Sequence, residues 1–261
     1  IMKKKQLAIV KIGGEILNEE NTTDIFLKKF NALPGLKILV HGGGKQASTL
    51  ARSMGIESKM VNGRRITDAE NLDIAIMVYG GLLNKKLVAK LQATGCAAIG
   101  VSGAEGNAVL ANKRPPETID FGFAGDIEKV NTDFINLLLE GGYTPVMCAL
   151  SHDGKGQMLN TNADTIAAET AIAMSSLYDT KLYYVVDKPG VLEDVNDESS
   201  VIRDMSEANY QDLIESNQIT DGMIPKLDNG YHALHHQVGQ VHLGSADMLS
   251  DANNPSTRIR L

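Results

Sequence analysis

The chain has 261 residues, 43% of them hydrophobic, and a formal charge of −7. That length suits one large α/β domain or two closely joined lobes, and the apolar content is ample for a core. The negative balance argues against a nucleic-acid or membrane-surface role, and no apolar run has transmembrane length or the form of a secretory signal, so a cytoplasmic protein is expected.

Residues 7–15, LAIVKIGGE, read as a buried strand that runs into Gly13-Gly14, with Lys11 near its carboxyl end. A lysine in a buried strand is costly unless its ammonium reaches a partner. It either snorkels from an edge strand or is held at the mouth of the sheet, where open α/β sheets bind ligands. A helix over 22–33 stops before Pro34-Gly35. A second strand, Leu36 to Val40, then delivers the chain into Gly42-Gly43-Gly44, and a helix pattern begins at Lys45. Strand, glycine turn and helix start form a design for anions and carboxylates. Glycine lets the backbone approach a ligand, and the helix start offers unpaired N–H groups with positive dipole character. The opening strand–helix–strand unit predicts a parallel pair with a right-handed crossover.

Asn62-Gly63 is a turn signal with Arg64 and Arg65 beside it. Residues 67–92 read as a long helix, with Thr67 as N-cap and Glu70 completing a capping box; Gly80-Gly81 predict a kink or two helices. Residues 97–101 form a short buried strand. Residues 104–130 are rich in Gly, Pro and polar residues and read as a hairpin-like excursion, with strands in VLANKR and GDIEKV. A helix over 131–140 stops at Gly141-Gly142, and residues 144–150 make another buried strand. The helix after LNTNAD is capped by Asn160 or Asn162.

Further on come a strand over 181–186, a turn at 187–190, an acidic surface excursion over 193–204, and helices over 206–216 and 223–234. The last elements are a strand at 241–243 and TRIRL, 257–261, read as an edge strand. The alternation predicts an α/β fold with a mainly parallel central sheet, in two lobes joined near residue 177. Cys96 and Cys148 read as buried, reduced thiols. His232, His235 and His236 share a helical spacing without acidic or Cys partners at metal-ligand spacing, which reads as a surface or packing role.

The sequence has no GxxxxGK[ST] and no GxGxxG after its first strand, which counts against a P-loop enzyme and a standard dinucleotide fold. It does have glycine turns at strand ends and three isolated cations, Lys11, Arg65 and Lys226, suited to a charged ligand. Phosphoryl transfer needs such cations, because its transition state spreads negative charge over non-bridging oxygens.

VKIGG, VHGGGKQ, NGRRIT, LNTNAD and ITDGMIPK, in this order and spacing, resemble the N-acetyl-L-glutamate kinases of the amino acid kinase family, over essentially the whole chain. The resemblance implies a three-layer αβα open sandwich. It implies a lobe for N-acyl-L-glutamate and dimerisation over 1–176, a nucleotide lobe over 177–261, and a homodimer. Lys11 and Lys226 match the lysines that stabilise the transferring phosphoryl group, and Asp164 the aspartate that holds them. Gly14 matches the glycine lining the phosphate path. Gly43, Gly44 and Asn160 match substrate-binding positions, and Arg65 the arginine that grips the α-carboxylate. Asp187, Lys188, Pro189, Gly190, Val191 and Leu192, with Gln218, Ile219 and Thr220, fall on nucleotide-contacting segments. Mg²⁺ is expected to arrive with ATP, without protein ligands of its own.

The implied nucleophile is the substrate's γ-carboxylate, ionised near neutral pH, so no general base is required. Arg64 has no counterpart and reads as solvated. Residues 104–130 are implied to cover the acyl group, without saying whether it is acetyl or succinyl. Arginine-inhibited members carry an extra amino-terminal helix. This chain begins a few residues before its first strand, so a dimer without arginine feedback is expected. The alternative from another class is a catalytically silent sensor of acylated amino acids.

Overall fold

The computed structural model describes residues 4–61, 64–216, 218–219, 222–251 and 253–261. The elements run β1 (Gln6–Ile12), α1 (Gly14–Asn18), α2 (Glu20–Ala32), β2 (Leu36–His41), α3 (Gly44–Ser53), β3 (Met60–Val61), β4 (Arg64–Arg65) and α4 (Ala69–Ala75). A π-helical stretch (Ile76–Leu83) leads into α5 (Asn84–Ala93), β5 (Ala98–Val101), β6 (Val109–Lys113), β7 (Gly125–Val130), α6 (Thr132–Glu140), β8 (Thr144–Cys148), β9 (Leu150–His152) and β10 (Met158–Asn160). Then follow α7 (Ala163–Met174), β11 (Asp179–Val185), β12 (Asp204–Ser206), α8 (Glu207–Glu215), α9 (Ile224–His235), β13 (Gln240–Gly244) and β14 (Thr257–Arg260).

The chain divides into two compact units, residues 1–37 with 167–261, and residues 38–166. In the first, the strands lie in the order β12-β14-β13-β11-β1. β1 runs parallel to β11 and β11 to β13, β12 is parallel to β14, and only β13 and β14 are antiparallel. Such strands are apolar almost throughout, as parallel strands covered on both faces must be: Leu7, Ile9, Val10 and Ile12 of β1 are fully buried. Phe26 and Phe30 of α2 stand one helical turn apart with ring centroids 6.1 Å apart, and both are inaccessible to solvent. Gly230 of α9 allows a close approach to the sheet, since a Cβ there would lie 2.6 Å from Ile259 Cδ1.

In the second unit β2, β8 and β5 are parallel in that order. A separate sheet has the order β10-β9-β6-β7, and β3 pairs antiparallel with β4. β6 and β7 form the antiparallel pair expected from VLANKR and GDIEKV. The α/β class with mainly parallel strands is therefore as the sequence indicated.

Several local expectations are corrected. The helix over 67–92 is three pieces, with Gly80-Gly81 inside the π-helical stretch. Its N-cap is Asp68, whose carboxylate accepts from the Asn71 amide at 2.9 Å. Thr67 is instead fully buried and pairs by backbone with the 121–123 segment, donating to Phe121 O at 3.0 Å and accepting from Phe123 N at 2.7 Å. The run 144–150 breaks at Ala149 into β8 and β9. TRIRL is not an edge strand, because β12 lies outside it. Asn162, not Asn160, caps α7, accepting from Asp164 N at 2.7 Å and Thr165 N at 3.2 Å. The Asn62-Gly63 turn lies outside the described residues.

Cys96 and Cys148 are free and buried, and burial pushes the Cys148 thiol up to about 12. The histidine trio does have acidic partners that spacing did not reveal: His232 Nε2 is 2.9 Å from Glu169 Oε1, and His235 Nε2 is 3.2 Å from Glu207 Oε2. Among the described residues no cluster of three His, Cys, Asp or Glu side chains is placed to hold a metal. No helix among them is long and apolar enough to cross a membrane.

Candidate functional site

In the first unit the parallel strands β1, β11 and β13 bring three turns to one end of the sheet, the carboxyl end where open α/β sheets take ligands. Gly13 N donates to Val185 O at 2.7 Å, and Val186 N donates to Gly244 O at 2.9 Å. A Cβ on Gly13 would stand 2.9 Å from Val185 O, so only glycine permits this approach. Lys11, in register with Tyr184, is 7% exposed. It is therefore a cation inside the fold, not one snorkelling to solvent.

A cavity of about 320 Å³ opens at this end, lined by Gly13, Gly14, Asp187, Gly222 and Lys226 among others. Lys226 lies in the first turn of α9 and donates to Gly222 O at 2.8 Å. Lys226 and the first glycine turn, more than two hundred residues apart in sequence, thus share one cavity, and Asp187 from the end of β11 joins them. Glycine amides, an ammonium and an open polar mouth suit a phosphate chain.

The rest of the 187–192 turn is built in. Lys188 is paired with Glu198 at 2.9 Å. Gly190 has no room for a side chain, since a Cβ would lie 2.7 Å from both Thr257 Oγ1 and Val201 Cγ1. Val191 is buried and donates its amide to Thr257 Oγ1 at 2.8 Å, while Leu192 bridges to Val201. Pro189 packs by its carbonyl against Gly244, where a Cβ would approach to 2.7 Å. Gln218 follows α8 and donates its amide to Leu213 O at 3.0 Å; Ile219 is half-buried. Thr220 lies outside the described residues.

In the second unit the triple-glycine turn joins β2 to α3. Gly43 has φ +154°, and a Cβ there would lie 2.4 Å from Leu83 Cδ1 and 2.8 Å from Tyr79 Cδ1. Both the backbone and the apolar helix behind it demand glycine. Gly44 begins α3, whose amino end faces this turn.

Arg65 is 8% exposed, whereas its neighbour Arg64 is exposed as expected. Arg65 Nη2 donates to Gly44 O at 2.9 Å and to Ser48 Oγ at 2.6 Å. Ser48 in turn donates to Gly44 O at 2.9 Å. The Tyr79 hydroxyl also hydrogen-bonds the guanidinium; burial raises the tyrosine pKa and the arginine beside it pulls the other way. One donor nitrogen, Arg65 Nη1, is buried without a hydrogen-bond partner. An orphaned charged donor is costly and is explained most simply by a missing acceptor, such as a carboxylate.

Asn160 ends β10 and donates from Nδ2 to Thr67 Oγ1 at 3.0 Å; Thr67 Oγ1 donates to Arg65 O at 3.2 Å. One buried threonine therefore ties the asparagine to the arginine strand. Asp164 is 5% exposed in the first turn of α7, where the helix dipole favours a carboxylate. Sequence reasoning missed Ser48, Tyr79 and Thr67. Each acts on a neighbour that is distant in sequence, and no local pattern marks it.

Two functional clusters thus emerge, one suited to phosphate and one to a carboxylate, on an α/β frame. A sequence model of the amino acid kinase family matches residues 6–245, and the chain belongs to that family. It is 51% identical over 250 residues to an acetylglutamate kinase of Phocaeicola vulgatus, covering 96% of this chain and 97% of the relative. It is 49% identical over 257 residues to the acetylglutamate kinase of Bacteroides thetaiotaomicron, covering 98% and 99%. Among solved structures it is similar to smu.665 from Streptococcus mutans UA159, with a TM-score of 0.79 and 26% identity over 97% of this chain and 98% of that one.

Proposed function

We propose that the chain is an acetylglutamate kinase, transferring the γ-phosphoryl group of MgATP to the γ-carboxylate of N-acetyl-L-glutamate in arginine biosynthesis. What carries the reading is identity at about half of all positions, over nearly the full length, with two acetylglutamate kinases. The buried, unpartnered Arg65 Nη1 beside the glycine turn supports the acceptor side, because a guanidinium fork matches a carboxylate.

In this reading Arg65 holds the α-carboxylate, and the Gly43 and Gly44 amides with Asn160 position the rest of the acceptor. The acceptor's γ-carboxylate is ionised at neutral pH and attacks without a base. Lys11 and Lys226 neutralise the charge that spreads over the transferring oxygens. Gly14 lines the phosphate path, with Asp187 to Leu192 and Gln218 to Thr220 on the nucleotide side. Mg²⁺ arrives bound to ATP. Asp164 serves as an organising carboxylate, not a base. The carboxy-terminal segment from residue 177 carries the nucleotide, the working form is a cytoplasmic homodimer, and no nucleic acid takes part.

The test is coupled ADP release with MgATP and glutamate, N-acetylglutamate or N-succinylglutamate. Turnover with N-acetylglutamate and none with glutamate is expected. A preference for the succinyl compound would move the acyl assignment. Binding of acylglutamate without any turnover would overturn the enzyme reading in favour of a sensor.

A further inference from the structure

β2 ends in His41, a fully buried imidazole directly before the three glycines. Its Nδ1 lies 2.8 Å from Gly42 O, and its Nε2 lies 3.1 Å from Asn84 Nδ2. The Asn84 amide is fixed from both ends: Nδ2 also donates to Val146 O at 2.8 Å, and Oδ1 accepts from Lys85 Nζ at 3.1 Å. Asn84 Nδ2 must therefore be the donor to His41 Nε2, which leaves the ring's single proton on Nδ1, donated to the Gly42 carbonyl. Burial holds the ring pKa down to about 4, with Lys85 adding to the effect, so at neutral pH there is only that one proton. No room remains for an alternative arrangement of Asn84, since even a Cβ on Gly100 would stand 2.0 Å from its Oδ1.

The peptide joining Gly42 to Gly43 is planar and trans, so its carbonyl and its N–H point in opposite directions. A carbonyl drawn onto the imidazole turns the Gly43 N–H to the other side. Gly43 and Gly44 have no side chains to fix this peptide, and glycine backbones otherwise rotate freely.

We propose that His41, locked by Asn84, is a positioning residue that sets the Gly42–Gly43 peptide so that the Gly43 N–H is presented to the acceptor substrate. This rests on the reading that Gly43 and Gly44 bind acylglutamate. Preorganised backbone donors are worth most when no reorientation is needed as the ligand arrives.

Two substitutions of similar size and polarity separate positioning from packing. In His41→Asn the amide nitrogen takes the place of Nδ1 and keeps the bond to Gly42. In His41→Gln it takes the place of Nε2 and loses that bond. We expect His41→Gln to raise KM for N-acetylglutamate roughly tenfold, the size of one hydrogen bond. KM for ATP should stay near wild type, and His41→Asn should remain within about threefold of wild type in both. Equal KM values for the two variants would overturn the proposal.

Should either variant fail to fold, the side-chain ¹⁵N shifts of His41 in the wild-type protein decide it. A proton on Nδ1 is expected, and a proton on Nε2 would refute it. Arg65→Lys separates the two levels. If it leaves KM for N-acetylglutamate unchanged, the substrate reading itself fails, and the inference with it. If it raises that KM while His41→Asn and His41→Gln match each other, only the His41 role falls.

Discussion

Arg65→Lys is the sharpest probe of the acceptor side. The arginine gives Nη2 to Gly44 O and Ser48 Oγ at 2.9 and 2.6 Å and still presents Nη1, buried and unpartnered. A lysine ammonium keeps the charge but has no planar fork, so it cannot hold both protein acceptors and face a carboxylate in the same geometry. Losing one charge-assisted hydrogen bond costs about 1.5–3 kcal/mol, which corresponds to a roughly tenfold to hundredfold rise in KM for N-acetylglutamate. The grip is the same in ground and transition states, so kcat should change by no more than about threefold. Ser48→Ala removes only a neutral acceptor and should raise the same KM by about three- to tenfold. The assay is steady-state ADP release, varying N-acetylglutamate at saturating MgATP and then the reverse. A fall in kcat with both KM values unchanged would refute the reasoning, because it would put Arg65 on the transferring group.

Other outcomes follow from the same geometry. Lys226→Met should lower kcat by about a hundredfold or more while moving both KM values little, since the contact is made mainly in the transition state. A large rise in KM for ATP with kcat intact would reassign it to ground-state binding. Gly43→Ala forces a Cβ to 2.4 Å from Leu83 and into a φ of +154°. It should destabilise the protein by about 1–3 kcal/mol, visible as a drop in Tm. Burial holds His41 and His242 down to about 4 in the fold against an ordinary 6.5. Their stabilising effect is therefore complete above about pH 6.5 and is lost as pH falls toward 4. For His41 alone the linkage is worth about 3 kcal/mol, and Tm measured from pH 7 to 4.5 should fall less steeply in His41→Asn.

Much of the fold was legible because the signals are local. An apolar run, a glycine turn and an amphipathic helix can be read in a window of fifteen residues, and β1, β2, α2, α6 and α9 fall where that pattern puts them. Long-range pairing was not legible. TRIRL could be read as a strand, but nothing within it says that β12 lies outside it. Thr67 and Asp68 are both good cap residues, and the choice between them was made by the 121–123 backbone, which claims Thr67 for itself. In the site, the glycines, Arg65 and Lys226 stood out by motif. Ser48, Tyr79 and Asn84 did not, because each works through a side chain far along the chain. His41 did carry a signal: a polar ring inside an apolar strand asks for a partner in the same way as Lys11.

The π-helical stretch at Ile76–Leu83 sets a limit on how this sequence can change length. It winds more residues into each turn than the helices on either side. Deleting one residue there would let it rewind as an ordinary α-helix. All that follows would swing by about 100°, one residue's share of a turn, and Asn84 would leave the line that joins His41 to Val146. Met77 and Leu82, exposed on its surface, can vary in kind, but the count of residues between Ala75 and Asn84 is fixed by a histidine more than thirty positions upstream.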